Sequence, residues 1–261
     1  MNLRRIIIHT YFYFPYLFHK ITGTGAFGRN TAAHIQKPVL PDSSPLKTAL
    51  LKHHVKQFHE SSCSVASVVS VINAIQTLRA DDHVPISQMD ILEKVRTANW
   101  KERMSEQGDN GKRGLPLALL GEIVRDSLEA YGIAYQFIET VHAPKKPAAA
   151  DKVKKILWQR LEAFEKKADG LVIAHFNQGI YVPTWNVPHI SPVGGFDAAT
   201  GQVTILDVDP QQNLHYKVSF DLFYQGLCNN YHHVLRLFGY RCGGYIYIKL
   251  TPPENEQTRF G

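Results

Sequence analysis

Residues 188–208 read PHISPVGGFDAATGQVTILDV. Two apolar runs, ISPVGGFDA and QVTILDV, flank Asp197-Ala-Ala-Thr-Gly201, a turn-forming cluster, which is the pattern of an antiparallel hairpin. Further strand-like runs, LVIAHF from 171 and GGYIYIKL from 243, lie on either side of it, with a helical pattern, FDLFYQGLCNNYHHVLRLFG, before the last. Upstream the period changes. In QFHESSCSVASVVSVINAIQ (57–76), Val65, Val68, Val69, Ile72 and Ile75 recur at steps of three and four, predicting a buried helix from Cys63 to about Leu78. Ser87 and Asp90 stand in capping-box positions before a second helix over about 87–98, and LPLALLGEIVRDSLEAYGI is a third, ended by Gly132. KERMSEQGDNGKRG reads as a polar loop and VHAPKKPAAA as a spacer. DKVKKILWQRLEAFEKKADG is an amphipathic helix with Val153, Ile156, Leu157, Leu161 and Phe164 on one face. The expected fold class is therefore α+β, a helical first half packed on an antiparallel sheet.

The totals narrow the function. The chain has 261 residues, 44% hydrophobic and 20% charged, with a net charge of +6. That suits an anionic partner, but no dense Lys/Arg run is interleaved with aromatics, which argues against nucleic acid. Three cysteines exclude a disulfide scaffold; Cys228 and Cys242 can pair if the protein is exported, leaving Cys63 as the odd thiol. His53-His54, His59, His215 and His232-His233 lack compact metal-ligand spacing, so no metal site is expected. Residues 1–35 form a distinct leader: basic MNLRR, apolar IIIHTYFYFPYLF, then a looser stretch with Ala26 and Gly28. This is the order of a secretory signal or a membrane-associating segment, and it predicts a periplasmic or membrane-associated protein, with a cytosolic protein bearing an N-terminal extension as the alternative. Residues 36–261 make the second expected unit.

Cys63 stands at a helix start, where exposed amides favour a thiolate. His189 opens the first strand of the hairpin and Asp207 ends the second, so the two can meet although they lie eighteen positions apart. An imidazole held by a carboxylate beside a helix-mounted thiol is a Cys-His-Asp constellation. Gln57, six residues before Cys63, can turn its amide toward a developing oxyanion. Each of these residues alone is more often structural; in this order and on these elements they point to nucleophilic catalysis.

The stretches SSPLKTALL, QFHESSCSVASVVSVINAI and PHISPVGGFDAATGQVTILDV resemble, in order and spacing, the catalytic domain of the phytochelatin synthase family, and RCGGYIYI (241–248) is similar to that family's closing strand. The resemblance covers about residues 40–250, loosely between 80 and 170. It implies a papain-like fold, with Cys63 as nucleophile, His189 as base and acid, Asp207 as its orienter, Gln57 at the oxyanion and Arg241 as a substrate contact. It implies glutathione as substrate, no tightly bound cofactor, and a divalent thiophilic metal (Cd, Zn) entering as a metal–glutathione thiolate; a homodimer is compatible with it. Two departures stand out. Ser64 replaces the family's glycine after the nucleophile, and VDPQQNLHYKV replaces a segment that carries Arg and Lys after the aspartate, with Asp209 in nearby space. The second departure predicts hydrolysis of glutathione over polymer synthesis. A general papain-like peptidase or amidase, and a noncatalytic module retaining the fold, are the competing readings.

Overall fold

The computed structural model describes residues 3–28, 31–35, 44–79, 83–228, 233–236 and 239–251. Its centre is the predicted hairpin. Strand β4 (Pro188–Asp197) pairs antiparallel with β5 (Gln202–Ile205), Asp197 opposite Gln202 and Val193 opposite Ile205, with a bulge between Val193 and Gly195. β4 also pairs with β3 (Gly170–Asn177), and β3 with β7 (Gly244–Leu250). Three further strands complete the sheet: β1 (Ala33–His34), β2 (Tyr135–His142) and β6 (Tyr216–Ser219). The order is β1-β6-β5-β4-β3-β7-β2, and every pairing is antiparallel. These three were missed. Two are edge strands, and half-exposed β2 lacks the apolar alternation that marks a strand in sequence.

Strand side chains alternate between two faces, and both faces are covered. On one, Leu171, Ile173, Ile190, Leu206, Ile246 and Ile248 join helices α2 (Pro45–Lys52), α3 (Cys63–Arg79), α4 (Gln88–Lys94) and α6 (Leu117–Ala130) in one core. On the other, Val172, Phe176, Val203 and Tyr245 pack against α7 (Pro147–Lys167) and α8 (Phe220–Leu227). This is the mixed helix and antiparallel-sheet architecture expected. The buried core of α7 is Ala150, Leu157, Leu161 and Phe164; Val153 and Ile156 lie at its margin.

Local chemistry fixes the helix ends. Ser44 accepts from the Lys47 N–H ahead of Pro45, and the Ser87–Asp90 capping box forms in full. After α6, the Gly132 N–H donates to the Glu129 carbonyl and the Ile133 N–H to that of Leu128, with Gly132 at φ +64°, so the glycine closes the helix as anticipated. Two expectations need correction. The helix over 87–98 stops at Lys94, and the stretch expected as a polar loop begins instead as α5 (Trp100–Arg103), because Trp100 and Met104 are buried against Ser64 of α3 and Arg103 is buried with the Ala98 and Gly114 carbonyls as partners. The expected spacer is taken up at both ends, by β2 and α7.

Within the leader, α1 (Leu3–Thr22) runs through Pro15, and a single 3₁₀ turn (Gly25–Phe27) follows. Residues 31–35 belong to the sheet: Ala33 and His34 pair with Lys217 and Tyr216, Ala32 N–H donates to Tyr181 and Ile35 N–H to His215. The last described residues of the expected leader are thus part of the sheet, and the expected boundary at 35 and 36 adjoins residues 36–43, which lie outside the described ones. Among the described residues, no helix is long and apolar enough to cross a membrane.

Candidate active site

Cys63 is the first residue of α3. The Ser62 carbonyl accepts the first two helical bonds, from Val65 and Ala66, and the Ser62 side chain closes a turn by accepting from the His59 N–H and donating to the His59 carbonyl, each at 2.9 Å. This turn delivers the chain to the helix with the thiol on its opening residue. The helix behind it is buried almost all round, and its polar residues fall every third position. Ser64 accepts from the Trp100 indole (3.0 Å), Ser67 donates to the Cys63 and Ile190 carbonyls (2.7 and 3.0 Å), Ser70 accepts from the Val55 N–H (3.1 Å), and Asn73 brackets Ile86 with two bonds. Buried polar groups need partners. Here the partners are the neighbouring elements, so the serine column sets where α3 sits. Ser67 in particular ties the backbone of Cys63 to the strand residue that follows His189. Ser64, the departure from glycine, is turned into the core beside Trp100 and Met104.

His189 and Asp207 meet as the hairpin requires: His189 Nε2 lies 2.8 Å from Asp207 Oδ1. That leaves Nδ1 for Cys63, which lies near enough to the ring to raise its proton affinity. Phe176 meets the imidazole edge-on at a ring separation of 5.5 Å. The group is nearly sealed, with Cys63 8% exposed, His189 5% and Asp207 0%. Burial works against charge on His189, but the Asp207 carboxylate, its hydrogen bond and the Cys63 thiol outweigh it and raise the imidazole pKa to about 10. Burial likewise opposes an ionised Asp207, yet His189, the Tyr216 hydroxyl and the Asp209 N–H hold its carboxyl well below the usual carboxylate range. A base of raised proton affinity facing a thiol can take that thiol's proton and later return it to a leaving group.

Sequence reasoning missed the groups that hold Asp207. Tyr216 donates its hydroxyl to Oδ2 at 2.6 Å, Gln178 donates to Oδ2 at 3.2 Å, and the Asp209 N–H donates to Oδ1 at 2.8 Å. The same Gln178 amide donates to Asp209 Oδ2 at 2.9 Å, and Lys56 Nζ donates to the Asp207 and Gln212 carbonyls. Gln178 lies on the turn after β3 and Tyr216 on β6; neither carries a local signature that distinguishes it from a core residue.

Gln57 is placed by its backbone, whose N–H donates to the Val208 carbonyl at 2.8 Å, one residue past Asp207. Its side-chain carbonyl oxygen is buried with no hydrogen-bond partner. Arg241 is exposed and makes no hydrogen bond or ion pair among the described residues. Its neighbour Tyr240 donates its hydroxyl to the Arg113 carbonyl at 3.3 Å, and its phenol is pushed up by burial and then by the charge of Cys63. Arg113 reaches the same rim. It pairs with Glu60 at 2.5 Å and approaches His59 and Ser61 at 3.3 and 3.5 Å, and its Nε is buried with no partner. Cys228 and Cys242 are both free thiols with separate neighbours, the Gln225 carbonyl and the His142 ring.

No curated protein matches this chain. Residues 42–233, well over half of it, match the phytochelatin synthase family, a span that contains Gln57, Cys63, His189 and Asp207 as well as Gln178 and Tyr216 and stops short of Arg241. The chain belongs to the phytochelatin synthase family, which implies glutathione γ-glutamylcysteinyltransferase activity with glutathione as the substrate.

Proposed function

We propose that the protein cleaves the Cys–Gly bond of glutathione through a thioester on Cys63. The Cys63 proton rests on His189, whose proton affinity is raised, and the sulfur attacks the cysteinyl carbonyl carbon. The C–N bond then breaks, the same proton passes to the departing glycine nitrogen, and γ-glutamylcysteine stays esterified to sulfur. In the second half, water or the amino group of a second glutathione attacks the thioester, His189 accepts its proton, and the Cys63 thiol is restored. Asp207 holds the ring with Nδ1 toward the thiol and stabilises the imidazolium. A half-turn of the Gln57 amide presents its NH₂ where its unpartnered oxygen now lies, a donor for the carbonyl oxygen as it gains charge. The observation that carries this reading is the buried chain from Cys63 through His189 to Asp207.

Hydrolysis prevails over polymer formation in this reading. A second glutathione is best held by fixed cations, and the segment after Asp207 offers few. Asp209 is anchored beside the catalytic aspartate through Gln178, Lys56 is occupied by two backbone carbonyls, and Lys217 lies on β6 between Thr204 and Ala33, within electrostatic reach of Asp197 at the turn of the hairpin. Arg113 and Arg241 are the nearest candidates for the carboxylates of the first glutathione. Metal ions enter as thiolates of the substrate. The test is product analysis at millimolar glutathione with cadmium: γ-glutamylcysteine and glycine should dominate, whereas abundant (γ-Glu-Cys)₂-Gly would overturn the hydrolytic preference, and cleavage of longer peptides without attack on glutathione would favour a general peptidase.

A further inference from the structure

The positive charge of this protein is unevenly placed. Arg4, Arg5, Lys20, Arg29 and Lys37 supply five of its net +6, and no acidic residue occurs before Asp42. The catalytic remainder is close to neutral. The same N-terminal stretch carries the two most exposed large aromatic side chains among the described residues, Phe14 and Phe18. Along α1, Phe14 is 64% exposed, Phe18 62% and Ile21 75%, at spacings of four and three that put them on one side of the helix, with Tyr13 at its flank. The opposite side is occupied by the protein itself. Phe12 is buried, Tyr16 packs edge-on against Phe27 at 5.5 Å, and the chain folds back after the helix through bonds from Thr24 to the backbone and ring of His19. The 3₁₀ turn at Gly25–Phe27 then rests on the turn Gln178–Ile180, which bears the Gln178 that holds Asp207.

An apolar stripe backed by protein, exposed in front and set in a segment of purely positive charge, has the chemistry of a helix that lies in the plane of a membrane surface. At 20 residues α1 is long enough to cross, but it is not apolar enough. We propose that α1 docks the protein on an anionic lipid bilayer, with Phe14, Phe18 and Ile21 entering the acyl boundary and the positive charge of the N-terminal segment drawing it to the headgroups. The charge selects this occupant over a second copy of the chain, since two such segments repel one another. The inference is independent of the chemistry at Cys63.

Sedimentation of the purified full chain with vesicles tests it. Vesicles of phosphatidylcholine with phosphatidylglycerol should bring the protein down, with at least about tenfold weaker binding to phosphatidylcholine alone and further loss as salt is raised. The Phe14→Ser/Phe18→Ser/Ile21→Ser variant should lose about tenfold or more in vesicle affinity while turning over glutathione in solution at the wild-type rate. Wild-type protein that stays in the supernatant with anionic vesicles would overturn the proposal. So would a triple variant that sediments as well as wild type, or one that merely changes from dimer to monomer with vesicle binding intact.

Discussion

At the scale of single residues, reactivity and exposure run in opposite directions. Cys63 is the least accessible of the three thiols. Burial nevertheless pushes the Cys228 and Cys242 thiols up, while Cys63 has an imidazole of raised proton affinity beside it. Iodoacetamide at neutral pH should therefore modify Cys63 first; peptide mapping that finds Cys228 or Cys242 labelled while Cys63 is intact removes it as nucleophile. Gln57→Ala should lower kcat by roughly 10²–10³, the usual loss for one oxyanion donor, and unchanged turnover takes Gln57 out of the site. Tyr216 acts one step further back. Its hydroxyl is the shortest bond Asp207 receives from a side chain, and hydrogen bonds to charged groups contribute about 1.5–3 kcal/mol. Tyr216→Phe should cut kcat by roughly ten- to a hundredfold with KM near wild type, because the ring still fills its place and only the carboxylate loses its anchor. A KM rise with kcat preserved would assign Tyr216 to substrate binding instead.

At the scale of elements, the hairpin is the device that makes the site, and it is sensitive at Gly194. This glycine sits in the bulge of β4, and a Cβ added there would fall 2.4–2.9 Å from the buried Leu206 side chain, next to Asp207. Gly194→Ala should lower both the melting temperature and kcat, by a core clash of about 1–3 kcal/mol that displaces the strand end; thermal unfolding and glutathione turnover measured on the same preparation check it. The hairpin, α3 and the Ser87–Asp90 capping box were legible in sequence because each has a local signal: a turn cluster between apolar runs, a three-and-four period, a Ser with an Asp three residues on. From them came the pairing of His189 with Asp207. The positions of Gln178 and Tyr216 were not legible, since what brings them to Asp207 is strand order, which places β6 beside β5 and the end of β3 beside β4. Nor was the role of Ser64, Ser67 and Ser70. In sequence they are small spacers in a helix, and only the neighbours across the fold show that each meets a specific partner.

For the whole molecule, buried histidines set the response to acid. His175 is sealed in β3, its Nε2 3.2 Å from the Leu115 carbonyl, and burial depresses its pKa to about 4; His54 is depressed to about 3. In the unfolded chain both titrate near about 6.5, so below that pH the unfolded state binds protons first and folding stability falls as pH drops. His175 alone is then worth up to about 3 kcal/mol between neutrality and pH near its folded pKa. His189 has the opposite sign: its stabilising pairing with Asp207 is complete below about pH 6.5 and is lost as pH rises through about 10. Melting temperature should thus decline on both sides of neutrality, and His175→Gln should flatten the acid side at some cost in stability at pH 8; an unchanged acid slope rules out His175 as the group responsible. The central claim, a γ-glutamylcysteinyl thioester on Cys63, is open to one direct measurement. Protein mixed with glutathione, quenched in acid within the first turnover and analysed by intact and peptide mass spectrometry should carry one γ-glutamylcysteinyl group on the peptide containing Cys63, with an equal amount of free glycine released. Glycine released with no adduct on that peptide, or an adduct on Cys228 or Cys242 instead, would contradict it.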